Sequence, residues 1–494
     1  MKKCLWVLVI LVVVSCLAAV AAPAGADRAA GSTSAAAKEI PVTSSSPEAV
    51  KIFMKGRQLL ENVRASEAEE LFQKAIALDP KFAQAYAQLG SARPGAGGLK
   101  DLEKAASLAQ GLGEAERMTI DILLADRRGE EAKVRDLRKK LAEIAPGDWR
   151  AQLGLGEQLS FERKWDEAAA ASKKATELNP KAGTAYNLLG YAYLNQAKND
   201  QAIEAFRTYA SMMPGEPNPQ DSLGEALMAA GRFDEAEAAF KKAADISPGF
   251  YNAWEGVAMT RFLRGDWAGG RNALDKAKLA AVRPIDKLGT DTILAWSQAA
   301  KGNTGEAIAT LAGVEKEAKA QEVGVIRALA PLTRARILGA SGKPQEALEL
   351  AATALGSTAK SNLPGAVTNT LRRLALAVQI DAQARLSRGE DAKKTLELIK
   401  AEAKTAPFNA EVQSMVHFAE GADALARGDA KAAAGHYSAC LETDYYCRWQ
   451  LVLAQEKAGA KDAAAAERRR LLAANRRDAD YLYVRSMLSG KPGA

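Results

Sequence analysis

Histidine is nearly absent from this 494-residue chain, which contains only His417 and His436. So small a supply of imidazole argues against triad hydrolysis and multi-histidine metal catalysis. Cysteine is scarce as well, with four residues and no Cys-x-x-Cys pair to hold zinc. No Gly-x-Ser-x-Gly elbow or His-Glu-x-x-His occurs, and Gly95-Ala96-Gly97-Gly98 lacks the Gly-Lys-Ser/Thr ending of a phosphate loop. Alternating strand runs are rare. Excess charge of one sign is also missing: 67 basic residues against 60 acidic give +7, too little over this length to imply nucleic acid. The expectation is a protein that is not an enzyme and uses no cofactor or metal. What is present is ordinary, 48% hydrophobic and 26% charged residues, and fits a folded chain of several domains or one long repeat array.

The N-terminus reads as a targeting segment. Lys2 and Lys3 precede an unbroken apolar run from Leu5 to Val14, and Ala24-Gly25-Ala26 has the small-x-small pattern of a cleavage site. This predicts a signal peptide over 1–26 and an exported protein, periplasmic or secreted. Val13-Val14-Ser15-Cys16 resembles a lipobox, so lipidation at Cys16 and anchoring at a bacterial membrane is the alternative. Either route removes Lys2 and Lys3 and lowers the formal charge from +7 to +5. Export also permits a disulfide between Cys440 and Cys447, spaced to join the end of one helix to the start of the next. Residues 27–46, rich in Ala, Ser, Thr and Gly, read as a flexible linker, with Ser45 or Ser46 capping a helix that begins at Pro47.

From Pro47 a repeat takes over. Gly156, Gly190 and Gly224 lie 34 residues apart, as do Ala168, Ala202 and Ala236, and Pro180, Pro214 and Pro248. Each unit pairs an apolar stripe such as Tyr186, Leu189, Gly190 and Tyr193 with a short polar turn and a second helix carrying Ala202 and Phe206. Small residues at 190 and 202 allow a close crossing, and the proline ends the second helix. One such hairpin cannot bury its apolar face alone, so neighbours must stack into an all-α solenoid of helical hairpins.

The unit resembles the tetratricopeptide repeat (TPR). Tyr186, Leu189-Gly190, Tyr193, Ala202, Phe206 and Pro214 match its pattern, with Tyr209 at a position usually held by Ala. Leu223-Gly224, Ala236, Phe240, Ala243 and Pro248 match again. The array is expected over 47–283. Over 284–490 the strict period is lost, but turn glycines at 302, 342, 389, 428 and 459 predict about five degenerate helical pairs continuing the superhelix. Gly356 to Thr370 is the expected irregular connection.

The resemblance implies a protein-protein interaction scaffold whose concave groove is lined by first helices and takes a partner segment. Its exposed positions would be the fifth, ninth and twelfth of each unit: Leu153, Glu157 and Ser160; Asn187, Tyr191 and Leu194; Asp221, Glu225 and Met228; Glu255, Met259 and Phe262. Carboxylates beside adaptable apolar groups would suit a protein or peptide partner with basic and apolar residues. The lysines of the family's carboxylate-binding pocket are missing at these positions. Val416, Phe418, Gly435 and Tyr437 place the two histidines at packing positions. Arg468-Arg469-Arg470 and Arg476-Arg477 read as a solvated basic face or a contact for anionic lipid. The alternative function is a structural or assembly subunit that docks on a membrane or secretion complex through its divergent half. Membrane association would then come through that complex or a lipid anchor.

Overall fold

The computed structural model describes residues 39–490, apart from 62–64, 94, 360–362, 364 and 408. The expected signal segment, the lipobox residue Cys16 and residues 27–38 of the expected linker therefore lie outside the described residues. Among the described residues there are helices and no strand, and no helix is long and apolar enough to cross a membrane.

The chain divides into two compact units, one ending at Met213 and the other beginning at Pro214. The first contains α1 (Pro47–Glu61) paired with α2 (Ala65–Leu78), α3 (Ala83–Ala92) with α4 (Gly95–Leu108), and α5 (Glu114–Arg128) with α6 (Glu131–Ile144). Two further pairs complete it: α7 (Trp149–Phe161) with α8 (Trp165–Leu178), and α9 (Gly183–Asn195) with α10 (Asn199–Met212).

The second unit begins with α11 (Pro217–Ala229) and α12 (Phe233–Ile246), then α13 (Tyr251–Leu263) and α14 (Trp267–Ala280). Longer pairs follow: α15 (Pro284–Ala300) with α16 (Thr304–Ala320), α17 (Gly324–Ala340) with α18 (Pro344–Ala359), and α19 (Gly365–Arg385) with α20 (Gly389–Ala403). It closes with α21 (Ala410–Ala426), α22 (Ala430–Ser438), α23 (Tyr445–Lys457), α24 (Lys461–Leu472) and a single helix, α25 (Ala479–Ser489).

The 34-residue period has a direct structural meaning. Ala168, Ala202, Ala236, Phe206 and Phe240 are fully buried where the paired helices cross. Tyr209, in place of the usual alanine, is buried against Gly183, whose lack of a side chain makes room for the ring. Pro180, Pro214 and Pro248 each stand two residues beyond a second helix, where a missing N–H costs nothing. The turns keep time as well: Gly129, Arg163, Ala197, Gly231 and Gly265 all have positive φ, at intervals of 34 residues. In the later pairs Gly302, Gly342, Gly428 and Gly459 also have positive φ, without the 34-residue spacing.

The two compact units meet in the chain at Met213 and Pro214, and α25 packs back on α15 within the second. Several expectations need correction. Gly389 is not a turn residue: Ser387 takes the left-handed conformation and Gly389 opens α20. Gly95 through Gly98, which lack the phosphate-loop ending, form the first turn of α4. Helix persists to Ala359 and resumes at Gly365, so the irregular connection is shorter than 356–370.

Residues 39–46, read from the sequence as flexible, are held in place. From Glu39 to Ser46 the chain is held by side chains of the first unit that accept its backbone donors. Ile40 N donates to Asp148 at 2.8 Å, Thr43 N to Glu116 at 3.0 Å and Ser45 N to Asp79 at 2.9 Å. Three hydrogen bonds to the Asp79 carboxylate, led by the Ser44 hydroxyl at 2.5 Å, hold it down at about 2. Ser46 Oγ then accepts from Ala49 N at 3.2 Å and caps α1.

Candidate functional site

The fifth and ninth positions of α11 and α13 place Asp221, Glu225 and Glu255 on one face of the second unit. Into that face runs Arg477, from the link between α24 and α25. Its Nη1 lies 2.8 Å from Asp221 Oδ2 and 3.8 Å from Glu225 Oε1, and its Nη2 donates to the carbonyl of Asn252. The guanidinium carbon stands 5.3 Å from the centroid of the Phe240 ring. The side chains of Arg477 and Asp221 are only 12% and 9% exposed, so this pair is largely withdrawn from water. Glu255 is buried beside it and accepts from Thr290 Oγ1 at 2.8 Å.

Burial pushes the Glu255 carboxyl up to about 7, against the pull of Arg477 and the Thr290 hydroxyl, with Asp221 and Asp286 adding to the rise. Burial likewise lifts Asp480 at the start of α25 to about 7, helped by Asp478 and opposed by Arg336. Both groups therefore bind protons more tightly folded than unfolded. The stability this confers is complete below their ordinary values of 4.5 and 3.8 and is lost as pH rises to about 7. The second unit should accordingly unfold at lower urea at pH 7.5 than at pH 5, and Glu255→Gln should flatten part of that slope. An unchanged slope in the variant would remove Glu255 from the account.

The expected groove positions are not the exposed set the repeat pattern implied. Asp221, Met228, Glu255, Met259 and Phe262 are buried, and Glu225 is half-buried. The reason is local: Arg477 covers the acidic positions, and Phe262 packs on Trp267, ring centroids 5.6 Å apart. In the first unit Glu157, Asn187 and Tyr191 are half-buried and Leu194 is buried. Glu157 pairs with Arg138 Nη2 at 3.1 Å, and the Tyr191 ring meets Phe206 edge-on at 5.0 Å.

Most arginines of the expected basic patch are paired internally, while Arg469 stays exposed. Arg468 reaches Glu456 and the carbonyl of Leu488, Arg470 pairs with Glu467 at 2.7 Å, and Arg476 donates to the Tyr445 hydroxyl at 2.8 Å. A second buried polar centre had no sequence signal: Asp381 Oδ2 accepts from Tyr446 OH at 2.7 Å and from Arg385 Nε at 3.0 Å. Cys440 and Cys447 are joined as a disulfide, with Cα atoms 6.5 Å apart, tying the end of α22 to the start of α23. The histidines are not core residues. His417 and His436 are 41% and 42% exposed at the side chain and both face Glu420. With Glu420 they are the one group of three among the described residues with metal-ligand spacing.

Two family profiles, both described as tetratricopeptide repeat, match residues 183–214 and 220–250. The chain therefore carries tetratricopeptide repeats within residues 183–250, and its fold is a helical-hairpin solenoid. Among solved structures, a crystal structure of MamA is 20% identical, covering 34% of this chain and 95% of MamA at a TM-score of 0.30. MamA from Desulfovibrio magneticus RS-1, residues 41 to the end, is 17% identical over 34% of this chain and 96% of its own, at 0.32. YrrB, described as a TPR protein with an unusual peptide-binding site, is 17% identical over 42% of this chain and 91% of its own, at 0.28. No curated protein sequence matches the chain.

Proposed function

We propose that the protein is a non-catalytic interaction scaffold of the bacterial cell envelope that takes a partner segment carrying basic and apolar residues on the concave face of its repeats. The observation that carries this reading is Arg477. A guanidinium set between Asp221, Glu225 and the Phe240 ring is what a bound basic segment would present, here supplied by the chain itself. The corresponding positions of α7 and α9 supply Glu157, Asn187 and Tyr191, a carboxylate, an amide and an aromatic ring. A preformed solenoid loses little entropy on binding, so modest contacts along its face suffice for capture. Envelope placement rests on the charged, apolar and small-residue order of the N-terminal segment.

The alternative, an assembly subunit docking through its second half, would draw on an exposed apolar stripe. Among the described residues there, the exposed large apolar side chains are Leu279 and Val282 around the end of α14 and Leu398 on α20.

A photo-crosslinking residue tests the reading. Placed at Tyr191 it should capture an envelope protein in cells. Placed at Lys173, 63% exposed on the second helix α8, it should not. Capture at 173 with none at 191 would move binding off the concave face.

A further inference from the structure

We propose that His417, Glu420 and His436 form a binding site for a first-row divalent transition ion, with Zn(II) the best fit. The chain has two histidines in all, on two different helices, and both imidazoles turn to the same carboxylate. His417 Nδ1 lies 3.6 Å from Glu420 Oε2, and His436 Nδ1 lies 3.2 Å from that same oxygen. The three donor atoms all lie within 4.8 Å of one another. A tetrahedral zinc with bonds of about 2.0–2.1 Å holds its donors about 3.4 Å apart. The two edges that meet at Glu420 are close to that length, and the imidazole donors come within 4.8 Å of each other.

The helices that carry these groups are fixed close together. His417 and Glu420 stand three apart on α21 and so share a face. Beside them Gly421 meets the Tyr437 ring so closely that an added Cβ would lie 2.5 Å from it. Tyr437 is fully buried and its ring packs on Phe418, with centroids 5.9 Å apart. These contacts hold α22 against α21 and bring His436 to the pair on α21. Below the site, Ser414 Oγ accepts from Leu441 N at 2.9 Å, and the Cys440–Cys447 disulfide secures the same connection. The donors are thus positioned by packing that does not depend on an ion.

The charge pattern around Glu420 favours one carboxylate oxygen. Lys400 Nζ lies 3.2 Å from Oε1, leaving Oε2 for the imidazoles. That is an outer-shell arrangement that orients a monodentate ligand. Two nitrogens and one oxygen select zinc, copper, nickel or cobalt over calcium and magnesium, which take oxygen ligands. Partial exposure gives the ion an entry path and leaves its remaining coordination to water.

The test is calorimetric titration of ZnCl2 into the tag-free protein after chelator treatment, with Co(II) absorption as a second readout. The expected result is one ion per chain, Co(II) bands of a tetrahedral or five-coordinate site, and no competition from Ca(II). His417→Ala and His436→Ala should each weaken zinc by more than the roughly 10–100-fold typical of losing an outer-shell partner. Both should leave the helical circular dichroism unchanged, since each side chain is partly exposed. Absence of stoichiometric zinc binding, or affinity that survives the double His417→Ala, His436→Ala change, would overturn the proposal. Glu420→Gln separates the two kinds of contact: if zinc binds equally well to it, the carboxylate is not a ligand and the three-residue site is wrong.

Discussion

Arg477→Ala should destabilise the second unit by about 3–5 kcal/mol, the loss expected when one partner of a buried ion pair is removed. The pairing itself is not the source of so large an effect. Burying Arg477 and Asp221 costs desolvation that their attraction roughly offsets. What the variant leaves behind is Asp221, 9% exposed, and a buried Glu255 with no cation facing them. The contact with the Phe240 ring is lost in addition. Urea unfolding followed by circular dichroism would measure the change. Because Glu255 already titrates near 7, it relieves part of the penalty by staying protonated, so the loss should be larger at pH 8 than at pH 5. Combining Arg477→Ala with Asp221→Asn and Glu255→Gln should recover stability relative to Arg477→Ala alone. A loss below about 1 kcal/mol, the range of an exposed pair, would mean that the arginine is merely resting on a solvated face.

Gly190→Leu should cost more than any conservative change in the first unit. A Cβ built at Gly190 would lie 2.6 and 2.7 Å from two carbons of the Phe206 ring. That ring is fully buried and held edge-on by Tyr191, so it has nowhere to move. Even Gly190→Ala should therefore destabilise, by about 1–3 kcal/mol as in other overpacked cores, and leucine should force α9 and α10 apart. Phe206→Ala introduced into the Gly190→Leu background should be less harmful than the two separate losses added together, because the ring being displaced is gone. Thermal melting of the four proteins gives this coupling directly. A neutral Gly190→Ala would show that the helices do not cross as closely as Phe206 requires.

These two cases mark what sequence reasoning reached and what it did not. Gly190, Ala202 and Phe206 recur at 34-residue spacing, and a repeated crossing leaves a repeated trace; the solenoid and its pairing were legible for that reason. The acidic character of positions 221, 225 and 255 was legible too. The arginine that answers Asp221 stands 256 residues away, outside any period, and Arg476-Arg477 has the look of any solvated basic pair. Residues 39–46 escaped notice for another reason. They are held through backbone amides, which composition does not register, by carboxylates spread from Asp79 to Asp148. For the histidines, the neighbours were informative but the inference from them failed. Phe418 and Tyr437 are core residues, and successive side chains on a helix diverge by about 100°. A residue beside the core is thus turned partly out of it, as His417 and His436 are.

The return of α25 to α15 changes how the second unit comes apart. In an open array each hairpin touches only its neighbours, and unfolding frays inward from an end at little cost. Here Trp296 of α15 meets Tyr483 of α25, with ring centroids 5.6 Å apart. Opening any pair between them also strains a contact that closes the stretch from α15 to α25. Local opening is thereby coupled to global opening, and amide hydrogens from α15 through α25 should exchange with similar free energies in place of a gradient that falls toward one end. The same closure must be reached across a long stretch of chain, so the unit gains cooperativity and gives up the fast, local folding that helical repeats otherwise enjoy.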